Sequence, residues 1–393
     1  MSRLLIIGAS ILQLPAIKKA KELGHVVAVA DYNPDAIGIS YADKYYNAST
    51  IDIPAICDVA EDFRPDGIMT LATDMPMRSI AAATTLLGLP GISMDTAIKA
   101  TDKWEMIKAF KRHGVESPWF YVVENENGWN VIKQQITCPC VLKPTDNAGS
   151  RGVILVETIE KLDEAYLYSK QQSREGKIIV EEYMRGDEIS VEVIVCQGEV
   201  HILAVTDKLT TGAPYFVEMG HTQPSCLSKV DLLKIKDLTV RAVKAVGIEE
   251  GPAHVEIMLT DQGPKMIELG ARMGGDNITT HLVPLSTGIN MVEATIDVAL
   301  GAKPDIEPKL HCCSAIRYFK VPCGVIKSIK GIEKAKIIPG IREITFTKSI
   351  GESVTPIHCS NDRVGFVIAQ AETIESVTKV CEEAMKRIVI EIE

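Results

Sequence analysis

The stretch that decides the fold is His254-Val-Glu-Ile-Met-Leu-Thr-Asp-Gln-Gly-Pro-Lys-Met-Ile-Glu-Leu269, which predicts two apolar strands joined by a short polar turn. A three-residue loop at 261–263 is favoured, because Gly263 supplies the left-handed conformation that such loops adopt near their end. With that loop, Glu256 lies directly opposite Glu268, and both side chains share one face of the hairpin. The pattern therefore predicts two facing carboxylates.

Facing carboxylates need an explanation, because like charges directly opposite each other destabilise a sheet. A divalent cation would remove the penalty, since hard cations bind carboxylate oxygens. The same alternation places Met258 and Met266 on the face of the two glutamates. The hairpin thus predicts a metal site. A solvated outer face with two unrelated acids is the alternative.

The composition is that of a soluble globular protein with 393 residues, 46% of them hydrophobic and 24% charged. The net charge of −10 argues against a nucleic-acid partner, which needs a basic surface. No apolar run is long enough for a membrane span, and the first one leads into a strand rather than a signal peptide. Ten cysteines without a framework spacing are typical of free thiols in a reducing cytoplasm, so we expect a cytoplasmic protein.

The first hundred residues alternate between buried strands and helices. This alternation predicts a doubly wound, Rossmann-like domain with parallel strands. The predicted strands and helices are 3–8, 12–23, 25–30, 67–72 and 78–87. The first turn reads Gly8-Ala-Ser10 rather than GxGxxG, so dinucleotide binding is weakly supported. The alternative is a domain that packs beside the active site and helps to hold substrate.

Two lysines stand where a phosphate would be bound. Lys103 follows the N-cap Asp102, at a helix start where a cation opposes the helix dipole unless an anion binds there. Lys143 points inward from an apolar strand that runs into the glycine-rich segment 146–152. The backbone N–H groups of such a segment can cover phosphates. A solvated lysine and a plain hairpin turn are the alternatives.

Further acids and one histidine complete the pattern. Glu181 and Glu188 flank a short linker at two strand ends, where they suit hydrogen bonding to an amine and to ribose hydroxyls. His254 precedes Glu256 by two positions and shares its face, so it is either catalytic or structural.

The ordered set of these motifs resembles the ATP-grasp superfamily over nearly the whole chain. The resemblance implies an α/β fold with a Rossmann-like N-terminal domain, a small α+β lid and an α+β catalytic and C-terminal domain. The expected boundaries are 1–100 for the N-terminal domain, 101–302 for the ATP-grasp domain with its lid at about 116–190, and 303–393 for the C-terminal subdomain.

The resemblance also implies a role for each matching residue. Lys103 and Lys143 would hold the nucleotide phosphates, and Arg272 would face the transferring phosphoryl group. Glu256 and Glu268 would bind magnesium. We call the glycine-rich segment 146–152 the flap. The remaining nucleotide contacts that the resemblance implies are Ser150 and Gly152 in the flap, Glu181, Tyr183 and Met184 at the adenine, and Glu188 at the ribose. One departure is Gly270, where the family usually has an asparagine; it leaves the number of metal ions open.

Within the superfamily, the last eighty residues resemble the bacterial L-amino acid ligases. The likeness rests on Ser314-Ala-Ile-Arg317-Tyr-Phe and on the segment 360–368. The segment 216–224 also looks like a substrate loop of those enzymes, which makes Glu218, His221 and Arg317 candidate substrate residues.

The resemblance implies an ATP-dependent carboxylate–amine ligase that works through an acyl phosphate, with ATP and Mg²⁺, or Mn²⁺ as a substitute, as cofactors. Its substrates would be a small carboxylate, such as an amino acid, and an amine, and a homodimer is expected only by resemblance. No nucleic acid and no membrane partner is expected. The alternatives are a carboxyphosphate-forming or carbamoyl-phosphate synthase-like enzyme that activates bicarbonate, and a catalytically weak nucleotide-binding scaffold.

Overall fold

The computed structural model describes residues 1–147 and 149–393. Its N-terminal region contains a parallel sheet with the strand order β3-β2-β1-β4. The apolar strands β1 and β2 are almost fully buried between helices, as the sequence predicts for a doubly wound fold. The strands are β1 (Arg3–Ile7), β2 (Val26–Asp31), β3 (Lys44–Asn47) and β4 (Gly67–Met69). The helices are α1 (Leu14–Glu22), α2 (Ile53–Phe63), α3 (Met77–Leu87), α4 (Met94–Thr101) and α5 (Lys103–Arg112).

The turn after β1 is closed by side chains of the chain itself. The Asp31 carboxylate accepts the Ala9 N–H at 2.8 Å, and Gln13 Oε1 accepts the Ser10 N–H at 3.2 Å. In a dinucleotide-binding domain such N–H groups face the pyrophosphate. These two N–H groups are therefore engaged within the chain rather than available to a phosphate.

A second, smaller sheet carries the glycine-rich segment. It is antiparallel, with the order β5-β8-β6-β7, and its core includes a stacked pair, Trp129 on Tyr166, with ring centroids 4.6 Å apart. We call it the lid sheet. Its strands are β5 (Phe120–Val123), β6 (Cys140–Pro144), β7 (Ile154–Val156) and β8 (Ile178–Glu182), and its helices are α6 (Glu126–Ile132) and α7 (Leu162–Gln172).

The largest sheet has eight strands in the order β13-β12-β9-β10-β11-β14-β18-β16. It joins the predicted catalytic region to the C-terminal region without a break. Its strands are β9 (Asp187–Cys196), β10 (Glu199–Thr210), β11 (Glu218–Gln223), β12 (Gly251–Thr260), β13 (Gly263–Gly270), β14 (Cys313–Tyr318), β16 (Ile341–Phe346) and β18 (Gly365–Ala371). Helices α8 (Lys229–Val246), α9 (Val283–Thr287) and α10 (Met291–Ala299) lie along this part of the chain.

The C-terminal helix α12 (Ile374–Arg387) packs on this sheet through a stripe of apolar residues at helical spacing. Val377, Cys381 and Ala384 are fully buried against β14 and β18. The remaining elements are α11 (Ile332–Lys336) and a small sheet of β15 (Gly324–Lys330), β17 (Ser353–Val354) and β19 (Val389–Ile392). No helix among the described residues is long and apolar enough to cross a membrane.

Glu256 lies opposite Glu268, as predicted, but the predicted three-residue loop was wrong. Thr260 pairs with Gly263, so the loop has two residues. A β-bulge at Ile267 of β13, opposite the step from Glu256 to Ile257, restores the offset. A bulge inserts one extra residue on one strand and changes which face the following side chains occupy. Met266 is therefore fully buried in the core and does not share the face of the two glutamates.

The lid sheet is joined to the large sheet by the short linker 183–186 between β8 and β9. The linker lies against the end of β12. A Cβ atom on Gly186 would stand 2.0 Å from the carbonyl oxygen of Leu259, so only glycine allows this close approach.

Candidate active site

The N-terminal region, the lid sheet and the large sheet meet around a cleft of about 830 Å³. Most of the predicted site residues line it, although they come from positions far apart in the sequence. They are Lys103, Lys143, Ser150, Glu181, Tyr183, Met184, Glu188, Glu218, His221, His254, Glu256, Glu268 and Arg272. Two of the predicted residues, Gly152 and Arg317, are not among its described lining residues.

The two predicted phosphate-binding lysines lie within reach of acids in the cleft. Asp102 caps α5 by accepting the Trp104 and Glu105 N–H groups, which places Lys103 at the start of the helix. Lys103 Nζ lies 2.8 Å from Glu268 Oε2, and Lys143 Nζ lies 2.6 Å from Glu181 Oε2. Each lysine is thus paired with a carboxylate that also lines the cleft.

The glycine-rich segment forms the tip between β6 and β7, except that Ala148 lies outside the described residues. Gly149, Ser150 and Gly152 all have positive φ, at 66°, 59° and 80°. The Ser169 hydroxyl donates to the Gly152 carbonyl at 2.7 Å, which ties the end of the segment to α7. Gly152 therefore supports the flap from outside the cleft, while Ser150 lines the cleft.

The two facing glutamates are ionised by different neighbours. Burial alone would raise their pKa values, but Lys208 and His254 hold the pKa of Glu256 well below its usual value. Lys103 likewise outweighs burial and lowers the pKa of Glu268. Both groups are thus carboxylates at neutral pH, in the form that binds a cation.

Lys208 on β10 was not predicted as a site residue, and its side chain is 1% exposed. Its Nζ lies 2.5 Å from Glu188, 3.1 Å from Glu256 and 3.6 Å from Glu218. Burial opposes the charge, but the three carboxylates outweigh it and raise the pKa of Lys208 well above its usual value. Lys208 thus contacts the acids that were predicted to bind the ribose (Glu188), the metal (Glu256) and the substrate (Glu218).

His254 bridges two carboxylates. Its Nδ1 lies 2.8 Å from Glu192 Oε1, and its Nε2 lies 3.2 Å from Glu256 Oε1. Burial disfavours the imidazolium, but Glu192 outweighs it, with a smaller contribution from Glu256, and raises the pKa of His254 to about 9. His254 is therefore a cation that orients Glu256 at neutral pH.

Arg272 is held by Asp74, which was also not predicted as a site residue. Its Nε lies 2.9 Å from Asp74 Oδ1 and its Nη2 lies 3.0 Å from Asp74 Oδ2. Burial works against the guanidinium charge, but Asp74 outweighs burial and raises the pKa of Arg272. The N-terminal region thus contributes directly to the cleft.

The far end of the cleft is built around Glu218 and His221 on β11. His221 Nε2 lies 3.3 Å from Asp276 Oδ2, and the Asp276 carboxylate accepts two hydrogen bonds from Arg363, at 2.6 and 2.7 Å. Burial raises the pKa of Glu218 in spite of the nearby Lys208. This end combines acidic groups with an arginine from the C-terminal region.

Arg317 lies behind this end of the cleft. Its guanidinium donates to the His221 carbonyl at 2.9 Å and to the Thr222 hydroxyl at 2.9 Å. Arg317 therefore supports β11 from the neighbouring strand β14, and its predicted contact with substrate stays a prediction.

Two parts of the chain match known protein families. Residues 136–281 match the ATP-grasp domain, and residues 317–393 match the L-amino acid ligase C-terminal domain 2. ATP-grasp enzymes use ATP.

Individual proteins extend the likeness. The chain is 28% identical over 314 residues to an alanine–anticapsin ligase from Bacillus subtilis, covering 74% of this chain and 66% of that protein. It is 28% identical over 403 residues to a phosphoribosylamine–glycine ligase from Methanococcus vannielii, covering 94% of this chain and 89% of that protein. The crystal structure of an L-amino acid ligase from Bacillus licheniformis superposes with a TM-score of 0.85 at 23% identity, covering 100% of this chain and 99% of that one.

The fold and the cleft define a mixed α/β protein with ATP-grasp architecture. Residues 136–281 thus match an ATP-grasp domain, and residues 317–393 match the C-terminal domain of L-amino acid ligases.

Proposed function

We propose that the chain is an ATP-dependent carboxylate–amine ligase that joins an amino acid to an amine through an acyl phosphate. The observation that carries the proposal is the meeting of Lys103, Lys143 and Arg272 with Glu256 and Glu268 in one cleft. The three cations would neutralise a nucleoside triphosphate locally in a protein whose net charge is −10, and the two glutamates would hold its metal ion. The names of both curated relatives pair one amino acid with a second compound, which supports this substrate class.

The two facing glutamates suit Mg²⁺, with Mn²⁺ as a substitute. No group of three or more metal-ligand side chains occurs among the described residues. Mg²⁺ does not need one, because it usually keeps several waters and binds one or two carboxylates together with substrate phosphates. Glu256 and Glu268 would hold the ion, which supplies charge neutralisation at the phosphates.

Phosphoryl transfer depends on positioning and on charge stabilisation rather than on a protein nucleophile. The substrate carboxylate attacks the terminal phosphorus, the bond to the ADP oxygen breaks, and an acyl phosphate forms. Lys103 and Lys143 would hold the phosphate chain, and Arg272 would face the transferring group. The amine then attacks the acyl carbon in its neutral form, and the bond from that carbon to the phosphate oxygen breaks. The nitrogen loses a proton as the amide forms, and the leaving phosphate can carry that proton away.

The far end of the cleft suits the amine. Glu218 is largely buried, and a cationic amine beside it would offset the cost of burying its carboxylate. Arg363 is already occupied by Asp276 at 2.6 and 2.7 Å, which leaves this end acidic. We infer that His221 and Glu218 orient the attacking nitrogen.

Phosphate release from ATP, measured with single amino acids, with pairs and with bicarbonate, tests the proposal. We expect release that depends on amino acids, a condensed product by mass spectrometry, and no activity in EDTA. Release with bicarbonate alone would support a carboxyphosphate-forming enzyme instead. An enzyme that binds no Mg-ATP in a calorimeter would be incompatible with either function.

A further inference from the structure

Asp74 and Arg272 form a two-pronged ion pair between regions that are far apart in the chain. Asp74 lies in the turn after β4, just before α3, and its two oxygens meet Nε and Nη2 of the guanidinium at 2.9 and 3.0 Å. Both side chains are largely shielded from solvent, at 22% and 13% exposure. A fork-to-fork pair of this kind fixes the plane of the guanidinium as well as its position.

Gly270 makes room for this pair. It is buried at the end of β13, two residues before Arg272. A Cβ atom at this position would lie 2.7 Å from Asp74 Oδ1 and 3.1 Å from Arg272 Nε. Any larger side chain would therefore push against the carboxylate and the guanidinium together.

We propose that Asp74 is the positioning residue for Arg272, and that its carboxylate occupies the space that the missing side chain at Gly270 leaves free. The inference rests on the proposed function, in which Arg272 faces the transferring phosphoryl group. Asp74 thereby makes the N-terminal region part of the catalytic machinery, although it does not itself touch the nucleotide.

The hydrogen bonds of Arg272 agree with this role. Of the five guanidinium N–H groups, Asp74 accepts two and the Met273 carbonyl accepts one at 3.3 Å. The other two N–H groups have no partner among the described residues, and Arg272 lines the cleft. The guanidinium is thus anchored at one side and available at another.

The first experiment measures kcat and the KM for ATP in Asp74→Asn. Asparagine keeps the shape but loses the second acceptor and the charge, so Arg272 is misplaced. We expect kcat to fall by about 10²-fold, the cost of small misplacements of catalytic groups. The KM for ATP should change little, because the lost interaction belongs to the transition state. Asp62→Asn is the matched control, since it breaks the surface pair of Asp62 with Lys44 in the same region.

The second experiment is a double-mutant cycle between positions 74 and 270. Gly270→Asn should lower both kcat and the melting temperature in the wild-type background. In the Asp74→Ala background the same substitution should cost less stability and recover part of the lost kcat, since the new side chain then fills vacated space. Residues in contact show such non-additive effects.

The outcomes separate this inference from the proposed function. A wild-type enzyme without ATP turnover would count against the function alone, and the melting cycle would still decide whether Asp74 and Gly270 share space. If Gly270→Asn lowered the melting temperature equally in the wild-type and Asp74→Ala backgrounds, the inference would be overturned. Wild-type or higher kcat in Asp74→Asn would overturn it too, because Asp74 would then be neutral or would withhold Arg272.

Discussion

At the scale of single residues, the cleft is a network in which buried acids are matched by neighbouring cations. Lys208 lies within 3.6 Å of three carboxylates, and His254 links Glu256 to the fully buried Glu192. Replacing one member of such a network leaves an opposite charge buried without its partner, which is costly. Individual substitutions should therefore affect several neighbours together.

The clearest residue-scale prediction concerns Lys143→Ala and Glu268→Ala. Each removes a charge that the proposed function assigns to the phosphates or to the metal, so phosphate release should fall by about 10²-fold or more. Lys177→Ala is the control, because Lys177 also belongs to the lid region but pairs at the surface with Glu175, at 2.9 Å. Wild-type turnover in either cleft variant, with an intact circular dichroism spectrum, would remove the site assignment.

Most of the predicted site residues line the cleft, but Asp74 and Lys208 were not predicted. The predicted residues carry local signals, such as a lysine at a helix start or an acid at the end of a strand. Asp74 has none, because its partner Arg272 lies 198 residues away. Lys208 sits in a strand of mixed polarity, and only the three-dimensional register brings it to the acids.

At the scale of secondary structure, two β-bulges decide which side chains reach the cleft. One lies in β13 and keeps Glu268 opposite Glu256 although the turn has two residues. The other shifts the pairing of β10 with β9 between Ile202 and Ala204, which brings Lys208 onto the face of Glu188. A shift of one residue moves a strand's side chains to the other face, and a sequence pattern does not reveal a bulge.

A substitution at Gly152 tests whether the flap covers the nucleotide. Gly152 has φ of 80°, and a Cβ there would lie 2.8 Å from both Pro144 and Gln172, so Gly152→Ala must displace the flap. We expect a raised KM for ATP and a lower melting temperature. Gly176→Ala is the matched control, because Gly176 has φ of 75° in the same region but nothing within 4 Å.

Both alanines adopt an unfavourable left-handed backbone, at a cost of about 1–2 kcal/mol. The melting temperature should therefore fall in both variants, and further in Gly152→Ala. Only Gly152→Ala should weaken ATP binding. An equal KM for ATP in the two variants would show that the flap does not cover the nucleotide.

At the scale of the whole molecule, the pair of Asp276 with Arg363 couples the cleft to the C-terminal region. Burial alone would raise the pKa of Asp276, but Arg363 outweighs it and lowers that pKa far below its usual value. The ionised carboxylate therefore stabilises the fold at neutral pH, and this contribution is lost as the pH falls below about 3.9, where the unfolded chain takes up a proton.

Asp276→Asn should lower the free energy of unfolding by about 3 kcal/mol at pH 7, the typical cost of removing one partner of a buried pair. The difference from the wild type should shrink between pH 5 and pH 3 (about the range of the unfolded carboxyl) because only the wild type loses this contribution. Urea unfolding at a series of pH values measures it. A difference that stays constant over this range would show that the carboxylate charge is not the stabilising element.

The alternation of strands and helices in the first hundred residues is predictable from the sequence, whereas the joining of the sheets is not. The alternation of strands and helices indicates the N-terminal region, and the apolar stripe indicates α12. The pairing of β11 with β14 joins residues about ninety positions apart, such as His221 with Ile316. Local patterns carry no information on such distant pairings, so the continuous eight-stranded sheet was not predicted.

The linker 183–186 gives this architecture a mechanical consequence. The lid sheet shares no strand with the large sheet, and Gly186 presses the linker against Leu259 at its far end. A second connection, residues 113–119 between α5 and β5, also enters the lid sheet. Any opening of the lid would therefore bend the chain at these two connections. Glu256 and Glu268 belong to the other sheet and would keep their pairing while ADP leaves and the next substrates enter.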